Sequence, residues 1–185
     1  MFLSVLPQNA DPSGDTVLSW TALPPMKDAH PAGTVQVGAQ AGAALIFALT
    51  QTPPADALAA QAIAWPTGPA LMRVDEVCFP VGAVAHRHTH SGAGFRVLVR
   101  GSLRIEADHH QVMRVGDSWF EPADTPVRAV ALQDQGVTSF VRCMLVPLAL
   151  KGQSTFKLAD PADSTSPRLQ MTHRHIDHPV YVDAG

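Results

Sequence analysis

Residues 82–101 read GAVAHRHTHSGAGFRVLVRG and set three histidines, His86, His88 and His90, at alternate positions ahead of a glycine-rich turn and an apolar run. In an extended strand successive side chains point to opposite faces, so imidazoles at i, i+2 and i+4 share one. Neighbouring imidazoles on one face are a means of holding a divalent metal through nitrogen. Three same-face histidines in a regular strand lie about 7 Å apart from one Cα to the next but one, so His86 joins the other two at one ion only if the strand bends. Otherwise it is a rim histidine bonded to a carbonyl.

Other residues could complete or replace such a site. Glu106 and Glu121 are the carboxylates able to face inward from nearby strands, and an inward carboxylate without a metal requires Arg or His partners. Arg96, after the glycine-rich turn, and Arg142, inside the apolar run VTSFVRCMLVP, are the matching cations. A guanidinium in such a strand faces solvent, an interface or a polar cavity, where it can clamp a carboxylate substrate. Phe95, Trp119 and Val127 join them as pocket candidates. The tail adds His173, His175 and His178 in MTHRHIDHP, either a polar edge or the source of a third imidazole, from this chain or a neighbouring subunit.

The elements that must position these residues are short. Runs at 71–80, 95–99, 103–107, 111–115, 118–121, 127–132 and 137–147 are separated by glycine, proline, aspartate and histidine at Gly101, Asp108-His109-His110, Gly116-Asp117, Pro122 and 134–136. Spacing of this kind is that of an all-β sandwich or barrel. Residues 1–65 form an arm broken by Pro7, Pro12, Pro24, Pro25 and Pro31, anchored by Trp20 and carrying flanking strands. Within it PPADALAAQAI, 53–63, gives the best helical signal, with a surface loop as its alternative. Residues 66–150 are the barrel core, and 151–185 a polar, proline-containing loop or linker followed by an edge strand that docks back, within the chain or across a dimer. One domain is expected overall.

With 185 residues there is enough chain for one good core, and a net charge of −3 without clustered Lys and Arg gives no sign of a nucleic-acid footprint. Cys78 and Cys143 sit in apolar runs, which reads as buried reduced cysteines, with a disulfide or a reactive thiol as the alternative. The first residues lack the basic and apolar regions of a signal peptide, and the apolar run 38–49 is too short to span a bilayer, so a cytoplasmic protein off the membrane is expected.

These segments resemble the cupin superfamily. Its first motif runs glycine, five residues, His-x-His, three or four residues, glutamate, six residues and glycine, and Gly82, His88, His90 and Gly101 stand at matching positions. Its second runs glycine, five residues, proline, four residues, histidine, which Gly116 and Pro122 match. The resemblance, over about residues 70–147, implies a double-stranded β-helix, or jelly-roll, barrel with N-terminal and C-terminal arms, and a homodimer. It departs at two ligand positions, where Gly94 (or Phe95) replaces the glutamate and Val127 the histidine.

Two functions follow. In one, His88 and His90 with a carboxylate hold Fe, Mn, Ni or Zn for an oxygenase or isomerase acting on a small keto or hydroxy acid. In the other, the barrel has lost its metal and binds or senses a small ligand without catalysis.

Overall fold

A computed structural model describes residues 1–8, 10, 16–23, 30–108, 110–133 and 135–183. Pro12, Pro24, Pro25, His109 and Asp134, named above as breakers, lie outside the described residues. The described chain is built from strands: β1 (Phe2–Leu6), β2 (Thr16–Ala22), β3 (Gly33–Val37), β4 (Leu45–Thr50), β5 (Ala59–Ala62), β6 (Gly68–Phe79), β7 (Val84–His90), β8 (Ala93–Arg100), β9 (Ser102–Glu106), β10 (His110–Arg114), β11 (Ser118–Glu121), β12 (Val127–Ala131), β13 (Thr138–Pro147), β14 (Phe156–Leu158) and β15 (Met171–Val182). Two short 3-10 turns, Leu148–Leu150 and Pro161–Thr165, are the helical elements among the described residues.

The strands form three antiparallel five-stranded sheets, ordered β3-β2-β4-β1-β5, β11-β8-β13-β6-β15 and β10-β9-β12-β7-β14. The last two face each other as the walls of a jelly-roll barrel. The N-terminal sheet covers the outer face of the β6-containing sheet, so that sheet is buried on both sides. Alternation along β6 shows the consequence: Met72 and Val74 pack with Leu3, Trp20 and Phe47, whereas Arg73, Asp75, Val77 and Phe79 line the barrel interior. A strand buried on both faces loses the apolar/polar alternation of a half-exposed one, and β6 and β13 read accordingly as near-continuous buried runs.

Several expectations change. Residues 53–63 are a turn followed by β5, not a helix, because Ala59–Ala62 pairs antiparallel with β1; the strand edge of β1 overrides a weak alanine propensity. The polar stretch 151–167 is no plain linker, since it contributes β14, which pairs with β7. The tail docks within the chain, β15 pairing with β6 along its length. Trp20 is buried in the core between the first two sheets, and Cys78 and Cys143 are both buried.

Candidate functional site

A cavity of about 510 Å³ opens between the two barrel sheets, within the range that takes a small organic ligand. Its apolar end is formed by side chains that include Val77, Phe79, Ile105, Trp119, Val127 and Phe140. Its polar end follows from strand register. Residues directly opposite in antiparallel neighbours share a face, and one rung crosses all five strands of the β6-containing sheet: Trp119 faces Arg96, Arg96 faces Arg142, Arg142 faces Asp75, and Asp75 faces Arg174. All five line the cavity.

Their contacts interlock. Arg142 donates to Asp75 Oδ2 from Nε at 3.1 Å and Nη2 at 2.9 Å, and Nη1 lies 3.0 Å from His90 Nε2. Arg96 bonds the Gly94 carbonyl and pairs with Glu121 Oε2 at 2.8 Å. Trp119 Nε1 donates to the other Glu121 oxygen at 2.8 Å. Behind this rung Arg73 is bound by Asp177 and by the carbonyls of Leu150 and Gln153. The cavity wall takes five arginines (Arg73, Arg96, Arg142, Arg168 and Arg174) and two carboxylates, Asp75 and Glu121; with Asp177 offsetting Arg73, two positive charges remain in excess. Burial draws the Arg96 guanidinium down to about 10, which still leaves it charged at neutral pH.

On the opposing sheet, His88 and His90 are 6% and 5% exposed. His88 Nδ1 is 2.7 Å from the His86 carbonyl, His90 Nδ1 is 3.1 Å from Thr155 Oγ1, and the two Nε2 atoms stand 3.1 Å apart. Phe156 stacks on the His88 ring, centroids 4.4 Å apart, and the Arg168 guanidinium carbon lies over the Phe156 ring, 5.8 Å from its centroid. Burial, the largest influence, lowers the His88 pKa to about 4. Burial and the neighbouring Arg142 and Arg96 push His90 further down. Both imidazoles are neutral at physiological pH.

Of the residues singled out in the sequence, His88, His90, Glu121, Arg96, Arg142, Trp119 and Val127 are brought together in the cavity. Three are not. His86 leaves the cavity because a bulge in β7 shifts the pairing between Val127↔His88 and Ala129↔Ala85; the extra residue turns Ala85 and His88 inward and His86 outward, to the Pro167 carbonyl and Asp163. Glu106 lies on the outer face of β9, bonded to Arg104 and Arg128, which hold its carboxyl below the usual range. Phe95, one residue from inward-facing Arg96, faces the other core and packs on Phe120. The tail histidines also point away. His175 and His173 stand with His30 around the fully buried Glu76, on the opposite face of β6.

Sequence reasoning missed Arg73, Asp75, Thr155, Phe156, Arg168 and Arg174. The alternation of 71–80 held a signal for the first two, since Arg73 and Asp75 share parity with Val77 and Phe79. Thr155 and Phe156 reach the site where β14 pairs with β7, Arg174 where β15 pairs with β6, and Arg168 from the stretch between those two strands.

The cavity can be tested for a divalent metal. His88 and His90 are held from behind at Nδ1 with Nε2 forward, as metal-binding histidines commonly are. The remaining donors fail. Val127 is apolar, Glu121 is taken by Arg96 and Trp119, and Asp75 by Arg142. No carboxylate fits at position 94, where a Cβ would fall 2.0 Å from the Cys143 carbonyl oxygen. Arg142 Nη1 fills the space before His90 Nε2. At about 4 Å and an effective dielectric of about 20, a dication beside that guanidinium meets a repulsion on the order of 8 kcal/mol. Among the described residues, no three His, Cys, Asp or Glu side chains are arranged to hold a metal. The donor set does not fit the ion.

No helix among the described residues is long and apolar enough to cross a membrane. No curated protein matches the sequence. Among solved structures, an RmlC-like cupin from Shewanella frigidimarina NCIMB 400 is similar at 20% identity, covering 42% of this chain and 68% of that one with a TM-score of 0.38. A cupin domain from Bordetella pertussis Tohama I is similar at 21%, covering 45% and 98%, with a TM-score of 0.34. Residues 75–141, which include the whole His88–His90 segment and the β11 to β12 turn, match the family described as Cupin domain. That match, over the segment that supplies β7 to β12 of the antiparallel barrel, identifies a cupin domain within residues 75–141 of this chain.

Proposed function

We propose that the protein binds a small carboxylate-bearing molecule in the barrel cavity without a metal ion, as a binding or sensing module. The observation that carries this is the Arg142 guanidinium, fixed by Asp75 and set 3.0 Å from His90 Nε2 where a metal would lie. A guanidinium offers planar paired donors to a carboxylate. The excess of positive charge around the cavity favours an anion, and the apolar end accommodates a hydrocarbon or aromatic body.

Isothermal titration of chelator-treated protein with aryl and alkyl carboxylates tests this. Saturable binding that is lost in Arg142→Met but retained in Val81→Ala, a control far from the charged rung, supports it. Binding that appears only after a divalent cation is added overturns it.

A metal-dependent enzyme of keto or hydroxy acids is the second reading, favoured by one observation: both imidazoles present Nε2 forward with Nδ1 held. It requires the Arg142 side chain to leave Asp75 and His90. Stoichiometric metal in untagged protein, lost on substitution of His88 or His90, would support it over the first.

A further inference from the structure

We infer that the cavity selects acids carrying a hydroxyl on the carbon next to the carboxylate, with His88 Nε2 accepting from the hydroxyl and Arg142 holding the carboxylate. This rests on the metal-independent acid-binding reading above and adds the class of acid.

The contacts of the two rings fix where their protons lie. A neutral imidazole has one N–H. His88 Nδ1 lies 2.7 Å from a backbone carbonyl, which only accepts, so the His88 proton is on Nδ1 and Nε2 is a lone pair. His90 Nε2 lies 3.0 Å from Arg142 Nη1, which only donates. Its proton is therefore on Nδ1, given to Thr155 Oγ1 at 3.1 Å. Two lone pairs then face each other across 3.1 Å with no hydrogen between them. Arg142 satisfies His90. His88 Nε2 is left without a donor, in a ring covered by Phe156 and 6% exposed.

A buried acceptor lacking its hydrogen bond is costly, and a ligand that supplies the donor is favoured over one that does not. Protonation is a poor remedy, because burial and the adjacent arginines oppose a further positive charge on either ring. Arg142, with five N–H groups of which three are engaged by Asp75 and His90, keeps one on each terminal nitrogen for an incoming carboxylate. The acceptor and this donor are close, since the His88 to His90 and His90 to Arg142 contacts are 3.1 and 3.0 Å. A hydroxyl and a carboxylate on adjoining carbons span such a gap. Trp119 and Phe140, at the apolar end of the same cavity, suit an aromatic body.

The test is calorimetric titration of chelator-treated protein at pH 7 with mandelate and 3-phenyllactate, against phenylacetate and 3-phenylpropionate, which lack only the hydroxyl. The hydroxy acids are expected to bind tighter by about tenfold. In His88→Phe, which keeps a ring beneath Phe156, the advantage should vanish while phenylacetate still binds. Nitrogen-15 spectra of wild-type histidines give a readout that does not depend on that variant folding: mandelate, unlike phenylacetate, should move the His88 Nε2 resonance in the direction of an accepted hydrogen bond. Equal affinity within each pair overturns the inference and leaves acid binding standing. Failure of all four acids to bind overturns both. A preference that persists in His88→Phe, or an unmoved Nε2 resonance, overturns the assignment to His88.

Discussion

Arg142→Met removes one partner of a charge pair that is almost fully withdrawn from water. Asp75 is 1% exposed and Arg142 7%, and Asp75 Oδ2 receives two guanidinium hydrogen bonds, at 3.1 and 2.9 Å. Its other oxygen has only the distant Arg174 Nε, at 3.7 Å. With Arg142 gone the carboxylate stays buried without adequate compensation, and the loss is expected at about 3–5 kcal/mol. An exposed pair would lose about 0–1 kcal/mol. Since domains of this size are stable by about 5–15 kcal/mol, the drop should be plain in urea unfolding followed by circular dichroism, as a lower midpoint at unchanged slope. The double variant Asp75→Leu/Arg142→Met, apolar at both places, should recover most of the loss and still fail to bind carboxylates, which separates the folding role from the ligand role. A single variant within 1 kcal/mol of wild type, or a double variant less stable than the single one, would refute the buried, mutually dependent pair.

Acid should destabilise the fold through His88. Its pKa falls from 6.5 to about 4 on folding, so between these values the unfolded chain binds a proton that the native one does not, and stability falls as pH drops from about 6.5 to 4, by about 3 kcal/mol in all; urea midpoints across this range in wild type and His88→Phe should show a weaker acid loss in the variant. Gly94→Ala sets a Cβ 2.0 Å from the Cys143 carbonyl oxygen, so β8 and β13 must separate, with a loss of about 1–3 kcal/mol in thermal or urea unfolding; a neutral substitution would contradict the close approach. Phe156→Ala uncovers the His88 ring, whose pKa should rise toward 6.5 in an NMR titration, because burial is the main influence lowering it; an unchanged value would show that Phe156 does not shield it.

The barrel was legible because its punctuation is local. Run 118–121 coincides with β11, and glycines and prolines mark the turns on either side of it. The His88 and His90 pair, Arg96, Arg142 and Glu121 were also legible, as polar residues set among apolar strand neighbours. Parity misled where a strand is irregular: His86 shares the alternation of His88 in sequence and loses it to the β7 bulge. Parity also had no way to choose between Phe95 and Arg96, since either face of β8 is buried, one against the N-terminal sheet and the other against the cavity. Thr155, Phe156, Arg168 and Arg174 were hidden for a different reason. They lie in polar stretches without periodicity, and only long-range pairing brings them to the histidines. Asp75 illustrates both limits, for its partner Arg142 is 67 positions away and nothing near it in sequence announces a buried charge pair.

The most direct measurement is carboxylate binding by calorimetry to wild-type protein stripped of metal, repeated after loading with Fe(II), Mn(II), Ni(II) or Zn(II). If Arg142 stands in the place of the ion, stripped protein binds the acid with an affinity that added metal does not raise. Binding that is absent in stripped protein, restored by one stoichiometric cation and abolished by substitution of His88 or His90 would contradict it.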